Sequence, residues 1–430
     1  MALSISKPLA MGGLAGVIVY YTADKQKLLK SVLAALTAAV AKALTMTFSR
    51  SLIGLPMEPW PHQEWVDQYE EDAVEPEIAI FDAHHHLWDH WTQNRVEFGL
   101  GYTKSQMKYM RSLKPSVLTS KFADDPGFKV VNDAFGYRLP FLRTYMAEEM
   151  MSDIRGNGRG HKITGTMIVE CGWTTRGAEP CMKSVAEADM AAEVNRDNPI
   201  LCQAIIPQVD LTLGAACEPA LKYLKQNPLV KGIRYSTWCV EDDYYFKHHA
   251  TKETPFDPKF REGFALLSKY GFTYESWVCY QNIKALTDLA KCFPETKIIC
   301  DHVGVPLGQG PYKLEETIPQ WKEDMIAFAA NKNAYVKIGG MGMSNFGWGF
   351  EFRPKPPTSD ELVKVWGPLV LFCVETFGVD RCIMESNFPM DKISCSYTVL
   401  WNAMKKIVKS YSKEDKQKLF ELNARRIYNI

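Results

Sequence analysis

The sequence predicts an α/β fold: a (β/α)8 TIM barrel over residues 78–430, with a long insertion after the first strand and an N-terminal hydrophobic helical extension. Three observations carry this expectation. Short apolar, β-branched runs alternate eight times with longer amphipathic ones, polar residues fall where those runs end, and the first 57 residues differ in composition from the rest. Strands separated by helices pair in parallel, because parallel neighbours need a crossover, and eight such units close into a barrel.

The strand-type runs are residues 78–83, 163–170, 200–208, 230–235, 272–279, 296–300, 334–338 and 381–385. Helical spacing covers 181–196, 214–226, 258–270, 281–293, 314–331 and 359–377, and two more helices follow at 397–410 and 413–426. The barrel region exceeds the roughly 250 residues of an ordinary barrel. Two insertions account for the excess, 89–161 after the first strand and 241–257 after the fourth. Both follow strand C-termini, where barrel sites sit, so each is expected to be a lid or a pocket wall.

Residues 1–57 carry six basic groups and one acid, Asp24. Sixteen uncharged residues separate Lys7 from Asp24, short of the roughly 20 that span a bilayer. Leu33, Leu36, Val40 and Leu44 follow at helical spacing. Three readings stay open: a targeting segment, a membrane-associated stretch over residues 8–48, and a helix packed on the body. Residues 58–77, acidic and punctuated by Pro59, Pro61 and Pro76, are expected to be a linker.

Composition narrows the function. Lys+Arg and Asp+Glu are both 50, so no basic excess supports nucleic-acid binding. A hydrophobic fraction of 46% with 12% aromatics excludes a disordered chain. Eleven cysteines, odd in number and without a C-x-x-C pair, are neither a disulfide framework nor a zinc ribbon, which favours an intracellular, reducing setting. No glycine-rich phosphate loop precedes a helix.

The densest chemistry lies in Phe81-Asp82-Ala83-His84-His85-His86-Leu87-Trp88. His84 and His86 are two apart at a strand end, so they share a face. On a barrel strand that face is the lumen, and two imidazoles there begin a divalent-metal site. The alternative is a polar turn with solvated histidines. Asp301-His302-Val303-Gly304 places a second histidine motif at the sixth strand end, making His302 a third ligand or a general acid/base. Glu170 ends the second strand and Arg234 the fourth. A guanidinium there suits a substrate carboxylate, although either residue could be half of a structural ion pair. Trp88 and Tyr280 are expected to line the pocket.

In combination, four motifs resemble the amidohydrolase superfamily. They are Asp-x-His-x-His-x-Trp from Asp82, Asp-His-x-Gly-x-Pro from Asp301, Val-Lys-Ile-Gly-Gly from Val336 and Ser-x-Phe-Pro from Ser386. The specific likeness is to the amidohydrolase-related (amidohydrolase-2) family, nearest its branch of sugar-acid and 2-pyrone-4,6-dicarboxylate lactonases. The resemblance implies that His84, His86 and His302 hold a single divalent metal, zinc or manganese, or contact substrate in metal-free members. It implies a site role for Glu170 as well.

Two positions depart from the family pattern. Tyr280 takes the place of the usual fifth-strand histidine, and Asn387 that of the eighth-strand aspartate which activates water. An amide orients a water but cannot take its proton. Glu385, two residues earlier, points to the same side of the strand. Burial should raise its pKa towards that of a general base. Asp391 is the alternative base, and pairing of Glu385 with Lys337 or Arg234 is the structural alternative. The expected activity is hydrolysis of a lactone or related cyclic ester or amide carrying a carboxylate, with Arg234 and Asn387 on the substrate. Competing readings are a non-oxidative decarboxylase and a non-catalytic, membrane-tethered barrel. The partner is a small molecule, and the sequence leaves the oligomeric state open.

Overall fold

The computed structural model describes residues 63–88, 145–172, 175, 178–240 and 250–430. The expected N-terminal extension and most of both insertions therefore lie outside the described residues. The eight strands are β1 (Ile80–His85), β2 (Ile163–Val169), β3 (Ala204–Ile206), β4 (Gly232–Arg234), β5 (Thr273–Ser276), β6 (Ile298–Cys300), β7 (Ala334–Ile338) and β8 (Cys382–Met384). Each falls inside or on one of the eight expected runs, displaced by at most two residues at β1.

Pairing is parallel and sequential, β1-β2-β3 and β4-β5-β6-β7-β8. Parallel bridges Ile205↔Val230 and Gln208↔Arg234 join β3 to β4, and His85↔Phe388 joins β1 to the segment after β8. The ring is thus closed. The strands are almost wholly buried, as a sheet covered on both faces requires.

The helices that cover the barrel are α1 (Ala147–Arg155), α2 (Ala186–Asp197), α3 (Glu218–Lys225), α4 (Pro258–Tyr270), α5 (Ile283–Cys292), α6 (Leu314–Ala329), α7 (Ser359–Phe377) and α8 (Tyr397–Ile407). Local chemistry sets their ends. Thr358 and Glu361 form a reciprocal cap on α7. Asp257 caps α4, and left-handed Gly271 ends it. The helix expected at 214–226 begins only at Glu218, because Gly214 adopts φ 61 and breaks the preceding turns. The tail expected as one helix is Lys413–Gln417 and Asn423–Tyr428 around a π-helical stretch, Lys418–Leu422.

Inside the ring, Phe81, Ala83, Met167, Val169, Ala204, Ile206, Ile299 and Ile383 form an apolar layer, joined from the chain's end by Ala424, Ile427 and Tyr428. Strict alternation from Phe81 and Ala83 would send His85 inward. Instead, β1 has one extra residue between Asp82 and His85 relative to β2. This bulge reverses the phase and turns His84 and His86 inward. His85 is left bonding Thr166 at 2.8 Å.

Residues 63–77, expected as a linker, are packed on the barrel. Trp65 is buried and donates to the Arg353 carbonyl at 2.8 Å. Glu71 accepts from Ser359 and Asn402, and Glu75 pairs with Lys416 at 2.7 Å. Among the described residues no helix is long and apolar enough to cross a membrane.

Candidate active site

Seven of the eight strands, or the residues just beyond them, deliver polar side chains to the lumen: His84 and His86, Glu170, Arg234, Glu275, Asp301 with His302, Lys337, and Glu385. All are buried except Glu170, whose side chain is 10% exposed.

Hydrogen-bond partners assign the histidine protons. His86 Nδ1 lies 2.9 Å from the Val169 carbonyl, which only accepts, so Nδ1 carries the proton and Nε2 is bare. His84 Nε2 lies 3.3 Å from Arg234 Nη1, which only donates, so this nitrogen too is bare. The proton of His84 then sits on Nδ1, 2.9 Å from Glu385 Oε2 in an ion-pair contact, an oxygen that has no hydrogen-bond partner. Lys337 Nζ is 3.3 Å from that nitrogen but is bound more closely to Glu275 Oε2, at 2.6 Å. His302 Nδ1 is 2.6 Å from Glu385 Oε1, which also faces the His302 N–H at 3.2 Å, so its Nε2 is bare as well.

The Nδ1 of His86 thus faces a carbonyl and those of His84 and His302 face Glu385, while His84 Nε2 accepts from Arg234. The Nε2 atoms of His84 and His86 are 3.2 Å apart. With no proton between them, that separation is repulsive unless a cation lies against both. It is also the spacing of two nitrogens bound at about 2.0–2.1 Å to one zinc. The acceptors behind the rings are the outer-shell partners that metal-ligating histidines require. Ligand atoms of His84, Asp301 and His302 lie within 4.8 Å of one another. That group, with His86 Nε2 beside His84, fits a divalent ion.

Burial supports the same protonation. It holds His84 and His86 well below the usual histidine range and His302 at about 3, so all three are neutral at pH 7. Burial raises Glu385 to about 8 and Asp301 to about 7, each tempered by Lys337. Both oxygens of Asp301 are buried without a hydrogen-bond partner; Arg234 Nε is 3.5 Å away and Lys337 Nζ 3.9 Å.

The backbone around these groups is shaped for them. A Cβ on Gly339 would strike Glu385, and one on Gly340 (φ +66) would strike the His302 ring. The Val-Lys-Ile-Gly-Gly run thus carries Lys337 inward and clears space for its neighbours. His302, Val303 and Asn387 are left-handed non-glycines, with φ of 55, 50 and 56. Such strain is costly for a β-branched valine and collects at functional sites. Asp82 ties β1 to the chain beyond β8, accepting from Ser386 N, Ser386 Oγ and Tyr397 OH at 2.9, 2.6 and 2.9 Å.

The structure brings His84, His86, His302, Glu170, Arg234 and Glu385 together. Glu170 Oε1 lies 3.5 Å from Arg234 Nε. Four expectations change. Glu385 is inside the lumen, but its oxygens are turned on two imidazoles, so its geometry is that of an orienting group more than of a base. His302 is too weakly basic to hold a proton for a leaving group. Trp88 is fully buried beside His86, ring centroids 6.4 Å apart, and backs that residue. Tyr280 lies in the turn Tyr280–Asn282 with its ring 6.5 Å from Tyr312, while the inward position on β5 belongs to Glu275. Asn387 and the buried Asp391 face each other: Asn387 Nδ2 donates to Asp391 Oδ1 at 2.8 Å, and Asn387 Oδ1 has no hydrogen-bond partner. Burial keeps Asp391 well above the usual carboxyl range.

Two site groups were given no role from the sequence, and Lys337 was named there only as a lumen cation that could pair with Glu385. Asp301 shares the phase of Ile299 on β6, and Glu275 is a charge inside an apolar run. A charge at an inward position of a barrel strand is the signal that would have found them.

A family model described as amidohydrolase matches residues 172–430. The uncharacterised protein y4mH of Sinorhizobium fredii is 26% identical over 354 residues, 82% of this chain and 99% of the relative. An L-fucono-1,5-lactonase of Burkholderia ambifaria is 24% identical over 193 residues, 44% of this chain and 57% of that enzyme. Among solved structures, a zinc-bound amidohydrolase from Burkholderia multivorans superposes with a TM-score of 0.57 at 14% identity, covering 82% of this chain and 99% of the other, and supports the barrel fold.

Proposed function

The chain belongs to the amidohydrolase family, and on that footing we propose that it hydrolyses a lactone or related cyclic ester or amide bearing a carboxylate. The observation that carries this reading is the set of three bare Nε2 atoms beside a guanidinium, with an unpartnered buried carboxyl, Asp301, close to His84 and His302. The likeness to a fuconolactonase favours a lactone.

His84, His86 and His302 would hold the ion, with Asp301 beside it. When bound, such an ion polarises the scissile carbonyl and draws the pKa of a water towards about 7. Arg234 binds the substrate carboxylate. Asp301 accepts the proton of the attacking water and returns it to the leaving ring oxygen. Its two buried oxygens have no hydrogen-bond partner, so they are open to take and return that proton. Asn387 offers Oδ1 as a fixed acceptor for a water or substrate hydroxyl. Glu385 orients His84 and His302.

One observation favours a second reading. Arg234 Nη1 already stands 3.3 Å from His84 Nε2, where it could stabilise an oxyanion without an ion. The test is an assay of the purified full chain on carboxylate-bearing lactones, with zinc, with manganese and with chelator. Ring opening that needs the ion supports the first reading, and ring opening in chelator supports the second. Carbon dioxide release from aromatic carboxylates without any lactone hydrolysis would make it a decarboxylase and overturn both.

A further inference from the structure

Lys337 is fully buried at the centre of the ring, reached from β1, β5, β6 and the chain's end. Its Nζ lies 2.6 Å from Glu275 Oε2, 3.3 Å from His84 Nδ1, 3.9 Å from Asp301 Oδ1 and 5.8 Å from the Tyr428 ring centroid. Tyr428 also donates its hydroxyl to Glu275. Two of these neighbours, His84 and Asp301, belong to the group whose ligand atoms lie within 4.8 Å of one another. Asp301 Oδ1, fully buried and without a hydrogen-bond partner, faces the ammonium. The ammonium is therefore on the Nδ1 side of His84, opposite the bare Nε2.

We propose that the Lys337 ammonium occupies a second cation position, formed by Glu275 and Asp301 beside His84, and so restricts the centre to one divalent ion. This rests on the Nε2 side being the metal centre. A buried ammonium needs close carboxylates, and Glu275 with Asp301 supply them. The same oxygens are hard ligands for a divalent ion. Replacing Lys337 by alanine removes the cation together with its stem. What remains is a polar cavity lined by two carboxyl groups and an imidazole, with a deficit of positive charge. A divalent ion and its water would satisfy it, whereas Lys337→Met would refill the volume with apolar atoms.

The test uses the full chain, with zinc as probe. Wild type, Lys337→Ala and Lys337→Met are saturated with zinc and dialysed, and metal per chain is measured by mass spectrometry. A parallel manganese loading is read by electron paramagnetic resonance for a spin-coupled pair. Lys337→Ala should hold one ion more than wild type and show the coupled signal, and Lys337→Met should gain none. If Lys337→Ala is unfolded without metal, zinc should restore its melting transition, because the ion replaces the ammonium. Wild type taking a second ion, Lys337→Ala gaining none, or an unfolded Lys337→Ala that zinc does not rescue each overturns the proposal. Failure of the underlying reading looks different: wild type itself would hold no ion, whatever the increment in the variant.

Discussion

Replacing Glu385 with glutamine separates an orienting role from a basic one. The carboxyl group faces His84 Nδ1 at 2.9 Å and His302 Nδ1 at 2.6 Å, one imidazole on each oxygen. Glutamine keeps the shape and one acceptor oxygen but turns an NH2 group towards the other ring. That ring must move its proton to Nε2, which removes one of the three lone pairs. Loss of an outer-shell partner lowers metal affinity by about 10–100-fold. A hydrogen bond to a charged group, worth about 1.5–3 kcal/mol, gives a similar range. Glu385→Gln should therefore weaken zinc binding by about 10–100-fold, read by competition with a chromophoric chelator, and saturating zinc should restore much of kcat. Unchanged zinc affinity with kcat abolished at saturating zinc would refute the reasoning and return Glu385 to the role of base.

Other predictions concern charge, backbone and substrate. Without an ion, the folded chain keeps protons on Asp301 (about 7) and Glu385 (about 8) that unfolded carboxyls have already released. The folded state then binds more protons, so stability falls as pH rises from about 6.5 to 8. Below that window, histidines held neutral by burial act in the opposite direction. The melting temperature in chelator should drop across this range and the zinc increment should grow; a flat or rising curve contradicts the assignment. Gly340→Ala forces a side chain at φ +66 against His302. It should lose at least about 1–3 kcal/mol in urea unfolding, and a change below about 0.5 kcal/mol would show that the contact is not tight. Arg234→Met should raise KM for a carboxylate-bearing lactone by about 10–150-fold while sparing its neutral ester, from a charged bond of about 1.5–3 kcal/mol. Equal losses on both would remove Arg234 from substrate binding.

The barrel was legible because each strand is a short apolar run and each crossover an amphipathic one, so even the three-residue β3, β4 and β6 fall inside expected segments. His84 and His86 were legible as a pair, but the bulge that turns them inward was not, since it depends on β1 pairing with β2. Asp301 and Glu275 were hidden because a charge within an apolar run has meaning only once the lumen is known to be shared, whereas Lys337 was legible as a lumen cation but was matched to Glu385 and not to Glu275, which holds it at 2.6 Å. Tyr280 was misplaced by counting along the chain: the strand ends at Ser276, and the inward phase belongs to Glu275. The function of Glu385 could not be read from its position, because it depends on which two rings its oxygens meet.

The Nε2 atoms of His84, His86 and His302 are proposed to share one divalent ion. Anomalous X-ray diffraction at the zinc edge, on crystals of the full chain grown with zinc, should show a single peak in bonding contact with those three nitrogens. A zinc-saturated crystal with no peak there, or with zinc held only by other residues, would contradict it.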